Sequence, residues 1–489
     1  MSSNSSLASS QTSLSSSSQA AFKEVYDFYC VNDFHGSILE RNQGRYYEAG
    51  IRKYFGHLEE LKAADPEHTI ILSAGDMFQG SLESNINYGA LITEAMNAIP
   101  FDAMAVGNHE FDYGISPLEN IIEMADFPVL AGNIRRVKGI EDLGDDPRFD
   151  ISTAITRAGH KIGIIGMIGE GQTTSITSSH VLDLNFDNPE NYALSESLRL
   201  KQEGCDIVIL LIHADASSVQ RWATSNHLTN YFDGIFCGHS HSSNNTNIGG
   251  VMAVQSYCNG EAYSHIQLEL TNEGVKTKSA GLVTASKNYK ESEKISQIVD
   301  KYLQKEEYLW RANGVAGTLY NGSLDTTQIS DLAVEAIYTK YVKEYPDLVL
   351  AMQNKMRAVT YEGEITYSQL YKAMPFTNNI VIAKALGKDI INEAQYNETY
   401  TADKSTYASL DPNQYYTIAV INYLFYHCNV EKKYDYFSDL NYGESYVYAE
   451  YVDYPVDITY EYIKNELNGE VDATLYRGQK DRGFNLYRS

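Results

Sequence analysis

The 489-residue chain contains no apolar run approaching the roughly 18 residues that a helix needs to cross a bilayer, so no transmembrane helix is expected. Cysteine is scarce. The five residues Cys30, Cys205, Cys237, Cys258 and Cys428 are odd in number and hold no CxxC pair. That excludes a disulfide framework and a zinc ribbon and leaves buried free thiols as the expectation. Positive charge is also short, with 38 Lys and Arg against 64 Asp and Glu and a formal net charge of -26. No Lys/Arg cluster interrupts the acidic field, so a nucleic acid polymer is excluded as a partner. A small anionic substrate would need local positive charge, which bound metal ions can supply. No internal repeat is evident. Apolar residues are nearly missing from Met1 to Gln19, a serine-rich tract that cannot bury enough surface to fold. We read residues 1–21 as a disordered tether without the apolar core of a signal peptide. A native signal or lipid anchor trimmed from such a stalk fits a secreted or cell-surface anchored protein.

Against these absences stands an ordinary globular composition, 43% hydrophobic and 21% charged, in a chain long enough for two domains. Short runs rich in Val, Ile and aromatic residues predict strands at Val25–Val31, Thr69–Ser73, Ala103–Val106, Lys161–Met167, Asp206–Ile212 and Gly234–Cys237. Helical patterns lie between them. Ile51, Tyr54, Phe55, Leu58 and Leu61 share one face, and further helices are expected over Tyr88–Ala98 and Tyr192–Gln202. This alternation implies a layered α/β domain. From Glu291 to about Arg311 the pattern predicts a single bridging helix with Ile295, Ile298, Val299, Tyr302 and Leu303 as its buried stripe. A second unit opens with a helix through Ile329, Leu332, Ala333, Ala336 and Ile337 and has another near Ile458–Leu467.

Five predicted strands run directly into polar motifs at their carboxyl ends. These are Asn32-Asp33-Phe34-His35-Gly36, Gly75-Asp76, Gly107-Asn108-His109-Glu110-Phe111-Asp112, His213, and Gly238-His239-Ser240-His241. Ligands of open α/β sheets gather at that end of the strands, so all five can converge on one site. Asp, Asn and His without thiolate suit divalent Mn, Zn, Fe or Co. On an extended backbone, Asp33 and His35 point the same way and reach one ion, and His239 and His241 would do likewise. Asp76 has two oxygens and can bridge two ions roughly 3.5–4 Å apart. Taken singly, an Asp-x-His or a Gly-Asp is ordinarily a turn or a capped loop; the conjunction of five such motifs in one structural context is what carries weight.

The set VNDFHG, AGDMFQG, VGNHEFDYG, LLIHAD and CGHSH resembles the calcineurin-like metallophosphoesterases. More narrowly it resembles the 5′-nucleotidase family, which includes UDP-sugar hydrolases and 2′,3′-cyclic nucleotide phosphodiesterases. The resemblance implies a four-layer αββα metallophosphatase domain over residues 22–290, a linker helix over 291–312, and a smaller α+β substrate-binding domain over 313–489. It implies two divalent metal ions. Asp33, His35, Asp76 and His241 would hold one, and Asp76, Asn108, His213 and His239 the other. A metal-bridged hydroxide would attack phosphorus in line. His109, oriented by Asp112, would stabilise charge on the phosphoryl oxygens or protonate the leaving group.

The second domain resembles the family more loosely. Met374-Pro375-Phe376-Thr377-Asn378-Asn379 and Asn422-Tyr423-Leu424 fall where the family's two base-stacking aromatics sit. Phe376 and Tyr423 would clamp a nucleobase, with Asn354, Arg357 and Asn378 as further substrate contacts. Three departures stand out. A glycine-rich stretch is reduced to Gln353-Asn354-Lys355-Met356-Arg357, an expected arginine is replaced near Asp325, and a glycine–glycine–aspartate segment reads His427-Cys428-Asn429-Val430. Fewer glycines change backbone approach to a ligand, and a lost arginine removes a bidentate grip. The expected partner is a small nucleotide-like phosphoester. The expected reaction is phosphate release from nucleotides. The alternatives are a UDP-sugar or cyclic-nucleotide phosphodiesterase, or a catalytically reduced surface binding protein.

Overall fold

The predicted apolar runs form the strands that carry the motifs: β1 (Lys23–Val31), β2 (Thr69–Ser73), β3 (Ala103–Ala105), β4 (Ile207–His213) and β5 (Gly234–Cys237). The computed structural model describes residues 22–42, 47–138, 141–170, 172–177, 180–394, 396–401, 409–425, 447–451 and 453–476. The serine-rich tract, Cys428 and the His427–Val430 segment lie outside the described residues.

Two six-stranded sheets make the first part of the chain. In one, β1, β2 and β3 run parallel, flanked by Val129–Leu130 on one side and by the antiparallel Ala262–Thr271 and Gly274–Thr284 on the other. In the other, β4 lies parallel between β5 and His160–Ile168. The sheets pack face to face. Tyr26, Phe28 and Cys30 of β1 meet Ile207, Ile209 and Leu211 of β4 and Phe236 of β5 in a core that is essentially sealed from solvent. The helices Gly50–Ala64 and Ala90–Ala98 cover the outer face of the first sheet, and Pro189–Gln202 covers that of the second. Four layers result, αββα. Every residue of β4 is buried, as expected for a strand with helices or sheet on both sides, and such strands read as unbroken apolar runs.

The helix expected from Tyr88 begins at Ala90. Tyr88 (φ 53°) and Gly89 (φ 85°) are left-handed, so the helix cannot start before them. The bridging segment also departs from expectation. It is two helices, Glu293–Leu303 and Glu306–Ala312, not one. Ile295, Val299 and Tyr302 of the first pack on the first sheet's helical layer, whereas Tyr308 of the second packs into the core of the second part. One straight helix cannot serve both cores, and Lys305 turns extended (ψ 138°) to start the second.

The second part holds a five-stranded sheet, in the order Glu398–Tyr400, Leu348–Gln353, Tyr415–Ile421, Ile380–Leu386, Val447–Tyr451, and a three-stranded sheet built on Val315–Tyr320. Its first helix is Thr326–Tyr341, capped by Asp325, whose Oδ1 accepts from the amides of Thr327 (2.9 Å) and Gln328 (2.8 Å). The helix expected near Ile458 starts at Pro455 and ends in a π-turn over Tyr462–Glu466. Cys30, Cys205 and Cys237 are buried free thiols, and Cys258 is half-buried and free. Among the described residues, no helix is long and apolar enough to cross a membrane.

Candidate metal centre and substrate cleft

Beyond the carboxyl ends of β1 to β5 the motif side chains form two clusters, Asp33–His35–His241 and Asp76–His213–His239. His35 Nε2 and His241 Nε2 lie 2.8 Å apart, and His241 Nε2 is 3.5 Å from Asp33 Oδ1. In the other cluster, Asn108 Oδ1 is 3.1 Å from His213 Nε2 and 2.9 Å from His239 Nδ1, and Asp76 Oδ2 is 3.1 Å from His213 Nε2. Neighbouring ligands of a six-coordinate ion with bonds of about 2.1 Å stand about 3 Å apart, so these separations suit shared ions. Asp76 Oδ2 is also 4.0 Å from His35 Nε2, which puts Asp76 between the two clusters.

Two further observations favour cations here. Among the described residues, buried Asp76 Oδ2 accepts no hydrogen bond, with only the His213 ring nitrogen close by at 3.1 Å, and such an acceptor is costly unless something else satisfies it. Among the described residues, the ionic partners of Asp33 and Asp76 are all histidines. The site fits divalent metal ions.

The local backbone is unusual. Asp33 (φ 49°), His35 (φ 48°), Asp76 (φ 56°), His239 (φ 80°) and His241 (φ 54°) are all left-handed. This corrects the extended reading of both pairs. His239 and His241 turn to different clusters, His239 with Asp76 and His213, His241 with Asp33 and His35.

Electrostatics follow from burial. Asp33, Asp76, Asn108 and His213 are almost completely shielded from solvent. Burial drives the His35 imidazole down to about 3 and His239 down to about 4, and neutral imidazole is the ligand form. Burial works against charge on His213, but Asp76 beside it wins and lifts it to about 10. Burial lifts Asp33 to about 7, helped by the Asp76 charge. A divalent ion would invert this balance by favouring every deprotonated ligand.

His109 stands at the mouth of this centre. Its amide donates to Asp76 Oδ1 (2.8 Å) and its Nδ1 pairs with Asp112 Oδ2 (2.7 Å). Burial opposes protonation of His109, yet Asp112 and Asp76 together raise it to about 9. A cleft opens from His109 and Asp112 to Asn354, Arg357, Phe376, Asn378 and Tyr423, with Ser175, Thr177 and Thr377 on its walls. The Phe376 ring lies 6.0 Å from the His109 ring at 23°, and the Arg357 guanidinium sits 4.8 Å over Phe376. The sequence-predicted residues are thus together: seven in the two clusters, two at the mouth and five on the cleft wall.

Residues 26–243 match the family described as calcineurin-like phosphoesterase, and residues 311–409 match the 5′-nucleotidase C-terminal domain. The chain joins a calcineurin-like phosphoesterase domain to a 5′-nucleotidase C-terminal domain. Its relatives include endonuclease YhcR of Bacillus subtilis (strain 168), 25% identical over 81% of this chain and 36% of that protein. The chain thus spans about a third of that relative's length. An apyrase of Tabanus yao is 26% identical over 75% of this chain and 72% of its own. In fold, a solved 5′-nucleotidase precursor from Thermus thermophilus is similar at a TM-score of 0.72 and 19% identity, covering 92% of this chain and 97% of that one.

Several residues of this phosphoesterase site escaped the sequence reading. Glu110, fully buried, accepts the amides of Asp76 (2.8 Å), Met77 (2.8 Å) and Gly107 (2.6 Å) and so ties the β2 and β3 loops together. It sits inside a motif already singled out, and a carboxylate in that run was the available signal. Ser175 and Thr177 come from an unremarkable polar stretch and had none.

Proposed function

We propose that the chain hydrolyses nucleoside monophosphates to nucleoside and phosphate. The observation that carries the reading is the shared cleft. The His109–Asp112 dyad lines the same space as Phe376 and Tyr423, and the His109 amide bonds Asp76 of the paired ligand centre at 2.8 Å. Two divalent ions, held by Asp33, His35 and His241 and by Asn108, His213 and His239 with Asp76 between, would supply an activated water and Lewis-acid charge. Phe376 and Tyr423 stack on the base, at roughly 1–3 kcal/mol per stacked base. Arg357 and Asn354 orient the ester, and Asn378 completes the wall. His109, held by Asp112, meets charge on the phosphoryl oxygens and gives its proton to the leaving alkoxide.

The division into a metal domain (22–290), a linker (291–312) and a substrate domain (313–489) belongs to the same proposal. So does a secreted or surface-anchored location, which rests on the serine-rich tract.

The test is a substrate panel on the full chain with added manganese or zinc: AMP, UDP-glucose, a 2′,3′-cyclic nucleotide, a nucleoside triphosphate and single-stranded DNA. The expected result is fastest turnover of AMP, lost with chelator and in His109→Ala. Faster turnover of UDP-glucose or the cyclic ester would move the reading to a phosphodiesterase. No turnover of any compound would favour a binding protein.

A further inference from the structure

One backbone oxygen ties the two parts of the chain together. The carbonyl of Pro375 accepts from Gln79 Nε2 at 3.0 Å and from Asn85 Nδ2 at 2.9 Å. Both amides come from the segment after β2, and both are buried, 3% and 4% exposed. Pro375 directly precedes Phe376. We propose that Gln79 and Asn85 are positioning residues, a latch that seats the Phe376–Asn378 segment over the metal centre and thereby fixes the base relative to the reacting phosphate. The inference rests on the nucleotide reading above and deepens it.

The geometry supports a built device. Asn85 cannot turn its amide round, because its Oδ1 already accepts from the Gly80 amide (2.9 Å) and the Tyr113 hydroxyl (2.7 Å). Its donor end therefore faces Pro375. Proline has no N–H, so its carbonyl is the backbone handle that remains, and the two donors fill both lone pairs. Gln79 works at both ends. Its side chain holds Pro375, while its own carbonyl accepts from His35 Nδ1 at 2.9 Å and so orients that ring's other nitrogen toward His241. One residue thus links a metal-ligand imidazole to the clamp. Parting the two surfaces would strip two buried amides of their acceptor, a cost that favours the bonded arrangement. Displacements of about 1 Å are enough to cost rate when reacting groups must align, and Phe376 is only one residue from the latch.

The experiment compares AMP with ribose 5-phosphate, the same ester without a base, on the full chain with manganese. The variants are Gln79→Met, Asn85→Ala, their double, and Asn85→Asp, which keeps the acceptor for Gly80 and Tyr113 but loses the donor. The ratio of kcat/KM for AMP to that for ribose 5-phosphate should fall about five-fold in each single variant and further in the double, chiefly through KM for AMP. Amide hydrogen exchange over Phe376–Asn379 should rise about ten-fold or more in the double variant. The latch is overturned if the ratio stays within about two-fold of the wild type, if both esters lose rate in proportion, or if exchange is unchanged. Wild-type protein that hydrolyses neither ester would sink the nucleotidase reading instead, and exchange would still decide the latch.

Discussion

Asp112→Asn separates the two contributions of the dyad. Asp112 Oδ2 stands 2.7 Å from His109 Nδ1, and burial that would discharge His109 is outweighed by Asp112 first and Asp76 second. Asparagine can still accept from Nδ1–H, so the ring keeps its aim and loses only the negative partner. A hydrogen bond to a charged group contributes about 1.5–3 kcal/mol, and a decade of rate is about 1.36 kcal/mol, so kcat on AMP should fall about 10- to 100-fold. His109→Ala removes the proton donor itself and should cost more, about 10²- to 10⁴-fold. Steady-state kinetics with metal content measured on the same samples decide it. Asp112 is in neither ligand cluster, so bound metal per chain should match the wild type. A variant within about two-fold of wild-type kcat would refute the role assigned to Asp112, as would a rate loss fully accounted for by lost metal.

Other perturbations test the rest of the site. Phe376→Ala should raise KM for AMP by about 5- to 100-fold, the equivalent of one lost stacking contact, read by initial rates over a range of AMP concentration. Gly107→Ala should cut metal binding, because its Cβ would stand 2.2 Å from Asp76 Oδ1 and push that carboxylate away; elemental analysis after dialysis reads the loss. Asp325→Ala, which removes the cap of Thr326–Tyr341, should lower stability by about 0.5–2 kcal/mol in urea titration while leaving metal content alone.

Much of this was legible in the chain. Strands sealed on both faces read as continuous apolar runs, so β2 and β4 were recognisable from composition alone, and the polar motifs that follow them marked the site. What stayed hidden depends on contacts between distant segments. The departure at Asp325 turns out to be a helix cap with a capping-box partner in Gln328. The break after Leu303 follows from two cores pulling one amphipathic stripe in different directions. The Gln79 and Asn85 latch pairs side chains with a carbonyl roughly 290 positions away, for which no local pattern exists. The division of His239 and His241 between clusters was hidden for another reason. Period-two reasoning holds only on an extended backbone, and both residues are left-handed.

That backbone has an energetic consequence. Of the ten described non-glycine residues at positive φ, five are metal-cluster residues. Asp and His tolerate the left-handed region better than most residues, so a cost near the low end, about 1 kcal/mol each, is reasonable, or about 5 kcal/mol together. Whole domains are stable by only about 5–15 kcal/mol, so the loops must be held in place by something more than their own sequence. Part of the restraint is visible: the Asp33 amide donates to Gly75 O (2.9 Å), the His35 amide to Asp76 O (3.1 Å), and the His239 amide to Asp33 Oδ2 (2.9 Å). These bonds tie strained loops mostly to one another, and among the described residues the buried carboxylates Asp33 and Asp76 have only histidines as ionic partners. Metal ions would supply the missing positive charge and, binding only the folded arrangement, would add RT ln(1 + [L]/Kd) to its stability, about 2.7 kcal/mol at a hundred-fold excess over Kd. The phosphoesterase domain should therefore melt at a higher temperature as manganese or zinc is added, and the gain should vanish in Asp76→Asn. A melting temperature indifferent to both ions, in protein whose wild-type chain is otherwise folded, would mean that the left-handed loops are held by packing alone and that the clusters bind no metal.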